Sequence, residues 1–352
     1  MKSLIEQGKL PSVSSAHIGE QSNQTSANAV PKQTSAASNS KTRRHHMKVG
    51  IVGAGAVGAA CLTSLITRGI ACEVVLVNRN RKRADGVITD VQYGAALQPH
   101  VKLRAGEYAD LQGSALVLVT AGVNEKDGGA TDRSDPKGRL NLLHKNAKAY
   151  EEIIPRITQA APDAVILVVT DPPDPLADLA LRLGHRKVLS TGTYLDSLRF
   201  RFHLARRLQV NPQSVEAIVV GEHGTSQVFL WSSARIGGRS IELFAKDSGV
   251  SFGQFKKEIE QEVRYANITI IEGTGASVFG IGVVSARIAE IVLRDERSVI
   301  PIGSFNPDFS ATLSLPSVLG RDGVSRILMP DMSEAERELL DKSAQTIREA
   351  AA

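Results

Sequence analysis

Three side chains near the middle of the chain have the types and spacing needed to move a proton beside a carboxylate. Asp196 and Arg199 lie three residues apart in the segment YLDSLRFR, so they share one face of a predicted helix. His223 lies between glycines in the sequence GEHG, at the end of a predicted strand. An aspartate can orient an imidazole, an arginine can bind a carboxylate through two parallel hydrogen bonds, and a histidine titrates near neutral pH. Together they are the parts needed to transfer a hydride and a proton at a carbon next to a carboxylate, although spacing alone does not show that they converge.

A glycine-rich turn upstream is suited to hold the hydride carrier. The apolar run MKVGIVGAG predicts a buried strand, and the helix after it begins within the sequence Gly-Ala-Gly-Ala-Val-Gly. The first glycine permits a tight turn, the second lets a pyrophosphate approach the backbone, and the helix N-terminus supplies amide donors to the phosphate. The alternative is a glycine-rich packing turn. We expect dinucleotide binding, and the predicted cofactor contacts in this region are Gly53, Gly55, Val57, Gly58 and, after a later strand, Gly122.

Position 78 bears on which dinucleotide binds. Asn78 lies twenty residues after Gly58, where an NAD enzyme usually places Asp or Glu for the ribose hydroxyls. Asparagine can still bond a hydroxyl but does not repel a 2′-phosphate, and Arg79 stands beside it, followed by Arg81 and Lys82. We expect NAD, with Asn78 and Arg79 as further contacts, and NADP stays open. The basic run could also be the solvated start of a helix.

The elements that position these residues alternate in the first part of the chain as a parallel sheet requires. Apolar runs at 73–77, 115–122, 164–171 and 187–191 are separated by helical stretches, which predicts buried parallel strands covered on both faces. The fold class expected for 47–191 is therefore α/β, with a doubly wound parallel sheet.

The pattern changes after residue 191. We expect a helix from about Tyr194 to Leu208, then shorter strands, two long helices across 252–296, and strands near SVIPIGS and TLSLPSVLG. A last helix opens with Ser333 and Glu336, a capping box. Residues 192–352 are predicted to form a second, mixed α+β domain.

Composition and charge exclude several function classes. Residues 1–46 carry six Lys or Arg and two Glu without hydrophobic periodicity, so we expect a disordered tail that is dispensable, a targeting segment or a tether. The rest of the chain is within one charge of neutrality, so no nucleic-acid partner is expected.

No apolar run approaches the ~20 residues of a membrane span. Cys61 and Cys72 fit no metal or redox spacing, which favours a cytoplasmic protein without a metal site.

From Met47 onward the motifs resemble, in order, those of the L-lactate/malate dehydrogenase family. The matching segments are GAGAVG, the TAG turn, an Arg-x-x-Leu-Leu-x-x-Asn helix start, DPPDPL in place of Asn-Pro-Val-Asp, LDSLRFR, GEHG and SLPSVLGRDGV. The resemblance implies a Rossmann domain joined to a mixed α+β catalytic domain, assembled as a homodimer or homotetramer. It also implies roles: His223 as general acid/base, Asp196 holding its ring, Arg199 binding the substrate carboxylate, and Ser277 lining the pocket.

Two positions depart from the family pattern. The family has an asparagine before the proline that donates its amide near the substrate oxygen, whereas Asp171, when ionised, can only accept. Glu125 stands where Gln or Arg distinguishes lactate from malate, and its charge would repel the second carboxylate of oxaloacetate. Both residues are predicted to line the substrate site. We expect L-lactate/pyruvate as the substrate pair, with malate or another short 2-hydroxy acid as alternatives, and a catalytically silent dinucleotide-binding protein as an alternative of another class.

The segment from Val123 to Leu143 is the predicted lid of this site. Eight charged residues and three glycines fall in the fifteen positions 125–139, a composition that favours a surface loop. Two alignments of the loop arginine compete. GGATDR resembles the family's Gly-Glu-Thr-Arg, which would make Arg133 the loop arginine, whereas GRLNLLHKN places Arg139 directly before the predicted helix. Because a helix start held by packing is the firmer anchor, we favour Arg139 as the catalytic arginine that polarises the carbonyl when the loop closes.

Overall fold

Strands and helices alternate from the first described residue onward. A computed structural model of the protein describes residues 47–123 and 141–351. The first six strands are β1 (Lys48–Val52), β2 (Glu73–Val77), β3 (Lys102–Gly106), β4 (Leu116–Val119), β5 (Val165–Val168) and β6 (Val188–Ser190). The first four helices are α1 (Ala56–Arg68), α2 (Arg81–Ala95), α3 (Leu143–Ala160) and α4 (Pro173–Arg182). The strands pair in parallel in the order β3-β2-β1-β4-β5-β6, which confirms the predicted doubly wound sheet.

The second part of the chain adds helices, short strands and one long hairpin. Its helices are α5 (Tyr194–Leu208), α6 (Ile241–Asp247), α7 (Phe252–Arg264), α8 (Ala266–Thr274), α9 (Phe279–Arg294) and α10 (Glu334–Ala351). Its two-residue strands are β7 (Val215–Glu216), β8 (Val219–Val220), β9 (Val228–Phe229), β10 (Arg235–Ile236) and β11 (Arg239–Ser240). The longer strands β12 (Ser298–Asn306), β13 (Ala311–Gly320) and β14 (Gly323–Ile327) pair antiparallel. This α+β composition is the predicted one, and the capping box of the last helix is present, with Ser333 and Glu336 bonded to each other's backbone.

The two parts share one sheet. Strand β12 runs antiparallel to β6, with Gly303 opposite Ser190, so the hairpin of the second part extends the sheet of the first to nine strands. Only glycine allows this approach, because a Cβ at position 303 would collide with the hydroxyl of Ser190. The main chain of the second part is therefore brought directly against the end of β6.

Three elements differ from the sequence predictions. Strand β3, sequence KLRAG, lies at the sheet edge and pairs Arg104 with Glu73, so it lacks the continuous apolar run of a buried strand. Strand β14 is likewise a partly exposed edge strand. The predicted two helices across 252–296 are three, because the backbone leaves the helix at Tyr265 and again at Gly275, which has a φ of 80°.

The core packs helices of both parts against the same face of the sheet. Helix α1 and helix α9 cross closely, since a Cβ at Gly282 would lie 2.9 Å from the Cβ of Ala60. The apolar residues of both helices belong to one buried cluster with strands β1, β2 and β4. Cys61 is fully buried in this cluster, and burial raises the pKa of its thiol to about 12. Helix α9 thus completes the packing of the strand-helix unit that carries the glycine turn.

Candidate active site

The turn between β1 and α1 has the shape that a dinucleotide phosphate requires. Gly53 has a φ of 118°, and its N–H donates to the carbonyl oxygen of Val77 at 2.8 Å. A Cβ at Gly53 would lie 2.6 Å from the Thr120 hydroxyl, and one at Gly58 would collide with the carbonyl oxygen of Gly53. Beside Gly55, in contrast, the position of a Cβ has no described heavy atom within 4 Å. The first and third glycines therefore close the turn, and the second leaves room for a pyrophosphate at the helix N-terminus.

Asn78, directly after β2, stabilises this turn through side-chain hydrogen bonds to the backbone. Its Oδ1 accepts the N–H of Ala54 at 3.0 Å, and its Nδ2 donates to the carbonyl oxygen of Asn80 at 2.9 Å. Arg83 donates from Nε to the carbonyl oxygen of Ala54 at 2.7 Å. Arg79 is exposed and makes no hydrogen bond or ion pair with any residue in the described ranges. The ribose end of the predicted cofactor site therefore presents an amide and a cation. Val57, the second residue of α1, is half-buried and packs against the core.

His223, Asp196 and Arg199 lie in contact. Asp196 is in the first turn of α5, where a negative charge is favoured by the helix dipole, and it is only 2% exposed. Its Oδ2 lies 2.5 Å from Nδ1 of His223, and its Oδ1 accepts from the Arg199 guanidinium at 3.0 Å. Because the carboxylate fixes Nδ1 as the donating nitrogen, Nε2 is left to exchange a proton with a substrate. The sequence spacing could not show this convergence.

Asp174 fixes the backbone of His223. This aspartate, in the first turn of α4, is fully buried, and its Oδ2 accepts the N–H of His223 at 2.7 Å. Its Oδ1 accepts from the Ser190 hydroxyl at 2.5 Å. Burial raises the pKa of Asp174 to about 7, although both hydrogen bonds act against that rise. The sequence pattern assigned this residue no role; the available signal was an acidic side chain in the first turn of the helix after Pro172.

Asp171 lies on the opposite side of the imidazole from Asp196. Its Oδ1 is 3.8 Å from Nε2 of His223, and its side chain is 20% exposed. The predicted substrate-site residue is therefore beside the nitrogen from which a proton would move. Its peptide bond to Pro172 is cis.

Asn146 links the end of β4 to Asp171, and it is a second residue whose role was missed. It is fully buried; its Nδ2 donates to the carbonyl oxygen of Asp171 at 2.6 Å, and its Oδ1 accepts the N–H of Val123 at 2.7 Å. Gly122 leaves room for this amide, since a Cβ there would lie 2.9 Å from its Oδ1. The asparagine of the Arg-x-x-Leu-Leu-x-x-Asn pattern was the available signal. Its amide fixes the point where the predicted lid begins.

The remaining predicted site residues are not joined to this group. Ser277 is half-buried on the connection between α8 and α9, and its side chain makes no hydrogen bond to His223, Asp196 or Arg199. Glu125, Arg133 and Arg139 lie outside the described residues, so the choice between the two arginines stays a prediction.

Two further observations concern metals and membranes. Within residues 47–123 and 141–351, no group of three or more His, Cys, Asp or Glu side chains is placed to hold a metal ion. Over the same ranges, every helix is too short or too polar to span a bilayer.

Comparison with family models identifies both parts of the chain. Residues 47–188 match the model described as lactate/malate dehydrogenase, NAD binding domain. Residues 193–352 match lactate/malate dehydrogenase, alpha/beta C-terminal domain.

Individual relatives agree with these matches. The chain is 42% identical over 313 residues to an L-lactate dehydrogenase of Thermus aquaticus, covering 87% of this chain and 98% of that protein. It is 39% identical over 304 residues to an L-lactate dehydrogenase of Deinococcus radiodurans, covering 86% and 97%. Among solved structures, a lactate dehydrogenase from a Medee basin deep-sea metagenome library superposes with a TM-score of 0.79 at 30% identity, covering 86% of this chain and 97% of that one. The minor L-lactate dehydrogenase of Enterococcus mundtii gives a TM-score of 0.80 at 28% identity, covering 87% and 98%.

Proposed function

The chain belongs to the lactate/malate dehydrogenase family, and from this premise we propose that it interconverts pyruvate and L-lactate with NAD as its cofactor. The observation that carries the proposal is the Asp196 carboxylate, which contacts His223 through one oxygen and Arg199 through the other. The glycine turn supports the cofactor, because it leaves open the one position a pyrophosphate needs. The L-lactate dehydrogenases among the relatives support the substrate pair.

In the proposed reduction, Arg199 binds the pyruvate carboxylate. Its guanidinium is 13% exposed and uses one nitrogen for Asp196, so other N–H groups remain for a bidentate bond that lysine could not reproduce. His223 gives its Nε2 proton to the carbonyl oxygen, and Asp196 orients the imidazole. A positioned general acid of this kind contributes ~10²- to 10⁴-fold to the rate. When bound, the nicotinamide supplies the hydride.

Initial rates on a panel of 2-oxo acids test the proposal. We expect kcat/KM for pyruvate with NADH to exceed that for oxaloacetate and for longer 2-oxo acids, and a His223→Gln variant to bind NADH but turn over none of them. A larger kcat/KM for oxaloacetate would make the protein a malate dehydrogenase instead. Cofactor binding without turnover of any acid would assign it to the silent dinucleotide-binding class.

We propose that NADP is accepted as a second, weaker cofactor. Asn78 supports this, because its neutral amide lacks the charge that repels a 2′-phosphate, and the exposed cation Arg79 stands next to it. The matched variant is Asn78→Asp, and the measurement is the Kd of NADH and NADPH by fluorescence titration. The variant should retain NADH and bind NADPH more weakly than the natural chain. Equal NADPH affinity in the two proteins would contradict this part of the proposal.

We propose that the protein is a homo-oligomer assembled through the outer faces of α5 and α9. Helix α5 exposes Leu198 and Phe202, and helix α9 exposes Phe279 and Val283, so each presents an apolar pair one turn apart. Phe279 is 77% exposed, which is unusual for a side chain of its size. Sedimentation of Phe279→Ser should show a smaller species than the natural chain, whereas Leu97→Ser, at a residue elsewhere that is 89% exposed, should not. Identical sedimentation of both variants and the natural chain would contradict this interface.

Two further proposals concern the roles of the two domains and the cellular location. Residues 47–191 and 192–352 act as the cofactor and substrate domains, and the reaction takes place in the cytoplasm. Cell fractionation with an antibody to the full chain tests the location, and an organelle signal would refute it.

A further inference from the structure

A closed chain of four hydrogen bonds fixes one arginine beside the glycine turn. Asn78 accepts the N–H of Ala54 at 3.0 Å and donates to the carbonyl oxygen of Asn80 at 2.9 Å. The Asn80 side chain accepts the backbone N–H of Arg83 at 3.3 Å. Arg83 closes the chain, because its Nε donates to the carbonyl oxygen of Ala54 at 2.7 Å. The Asn78 amide and the Arg83 guanidinium therefore bind the N–H and the carbonyl oxygen of the same residue.

The turn that Arg83 contacts is the part of the cofactor site next to the adenosine ribose. In a fold of this class, the residue at the end of the second strand bonds the ribose hydroxyls, and Asn78 directly follows that strand. Gly55, the residue after Ala54, leaves space for the pyrophosphate at the helix N-terminus. A phosphate on the ribose 2′-oxygen would thus lie beside Asn78 and Ala54, the two residues to which the hydrogen bonds tie Arg83.

Arg83 retains donors for such a phosphate. A guanidinium carries five N–H groups in a planar fork, and the contact with Ala54 uses one of them. Within residues 47–123 and 141–351, Arg83 forms no ion pair and no second side-chain hydrogen bond. The planar fork can bind two phosphate oxygens at once. Its charge and most of its donors are therefore available to an anionic ligand.

The other cations at this corner are less suited to the same task. The first turn of α2 contains Arg81, Lys82 and Arg83 and no acidic residue, an arrangement that the helix dipole disfavours unless an anion binds there. Arg81 forms ion pairs with two carboxylates. Arg79 and Lys82 are exposed, so each would have to give up side-chain freedom to hold a ligand. Arg83 is already held at the turn, and this preorganisation lowers the cost of binding.

We propose that Arg83 binds the 2′-phosphate of NADP(H) and is the residue that admits this cofactor beside NAD(H). The inference rests on the proposed function, in which NADP is the weaker cofactor, and it assigns the phosphate to Arg83 rather than to Arg79. Asn78 tolerates the phosphate because its amide is neutral, whereas Arg83 supplies the opposite charge. Hydrogen bonds between charged groups of this kind correspond to about 10- to 100-fold in affinity.

Fluorescence titration of the full chain with NADH and with NADPH tests the assignment without turnover. Arg83→Gln removes the charge and retains an amide donor for the carbonyl oxygen of Ala54. We expect the ratio of the NADPH Kd to the NADH Kd to rise about 10- to 100-fold in this variant. The matched control is Lys82→Gln, which removes the same charge one position away and should keep the ratio of the natural chain. Arg79→Gln should raise the ratio less than Arg83→Gln does.

A second readout uses the natural chain alone. A phosphate monoester gains its second negative charge at a pKa of ~6, so the dianion that pairs best with a guanidinium predominates above that pH. The Kd of NADPH relative to that of NADH should therefore fall as the pH rises from about 5.5 to 8. A ratio that stays constant over this range overturns the inference, whether or not a variant folds.

The remaining outcomes separate the inference from the proposed function. An Arg83→Gln variant with the Kd ratio of the natural chain, or a larger rise in Arg79→Gln, overturns the inference and leaves the proposed function standing. A natural chain that binds NADH but not NADPH also overturns the inference alone. A natural chain that binds neither dinucleotide overturns the proposed function itself.

Discussion

Replacing Asn146 by alanine tests whether one buried amide holds Asp171 to Val123, where the predicted lid begins. Its side chain donates to the carbonyl oxygen of Asp171 at 2.6 Å and accepts the N–H of Val123 at 2.7 Å. Alanine removes both bonds. The Asp171 carboxyl group and the first residue after the β4 turn then lose their common attachment.

The expected cost follows from the two bonds. A hydrogen bond contributes a net ~0.5–1.5 kcal/mol, and a buried group left without a partner costs ~1–3 kcal/mol. Because Val123 is only half-buried and its N–H can reach water, we expect a loss of about 2–4 kcal/mol in the free energy of unfolding. That loss is smaller than the ~5–15 kcal/mol stability of an ordinary domain, so the variant should still fold. Displacement of Asp171 should lower kcat/KM for pyruvate by about 10- to 100-fold, since small misplacements of reacting groups cost rates of that order.

Urea unfolding and initial rates measure the two effects. Asn146→Asp separates the bonds, because a carboxylate still accepts from Val123 but faces the Asp171 carbonyl oxygen with an acceptor. We expect its kcat/KM to be as low as that of Asn146→Ala. Asn211→Ala, which removes an exposed asparagine cap, should lose little stability and no activity. An unchanged unfolding midpoint and unchanged kcat/KM in Asn146→Ala would refute the reasoning.

Three further predictions concern the residues around the imidazole. Asp196→Asn should lower kcat/KM about 10- to 100-fold in initial-rate assays, because a charge-assisted hydrogen bond to His223 becomes a neutral one. Arg199→Lys should raise KM for pyruvate more than it lowers kcat, since a bidentate contact to the carboxylate is lost. Asp174→Asn should flatten the pH dependence of stability in urea unfolding. The pKa of Asp174 is about 7 in the folded protein and 3.8 ordinarily, so the folded state holds a proton that the unfolded chain has released between those values. The free energy of unfolding contributed by this residue therefore falls as pH rises from about 4 to 7 and stays low above that.

Each of these has a result that would count against it. An Asp196→Asn enzyme with natural kcat/KM would mean that His223 is oriented by other groups. An Arg199→Lys enzyme with the natural KM for pyruvate would show that the substrate carboxylate does not depend on bidentate binding by Arg199. If Asp174→Asn keeps the natural pH dependence of unfolding, another group is responsible for it.

The fold was largely predictable because its strands are buried on both faces. Continuous apolar runs marked β1, β2, β4 and β5, and the pattern of helix α5 gave its observed bounds, Tyr194–Leu208. Edge strand β3 was missed since its outward side chains are charged and pair across to β2. The break at Tyr265 was missed because a single residue leaving the helical region has no composition signal.

The site was predictable in its residue types but not in its contacts. Asp196 and Arg199 could be placed on one helix face from spacing, whereas their distance to His223 depends on how β8 packs against α5. Asn146 and Asp174 act through backbone groups far away in sequence, and no local pattern reveals such a partner. Their positions had to come from the tertiary structure.

The contact of Gly303 with Ser190 limits which side chain a strand at this place in the sheet can carry. The Ser190 hydroxyl donates to Asp174, which in turn accepts the N–H of His223, so the strand that carries Gly303 packs against the residues that position the histidine. A chimera that joins these residues to a foreign strand with any larger side chain at this position would push the strand away and loosen the histidine. A side chain at position 303 would thus act on His223 through Ser190 and Asp174.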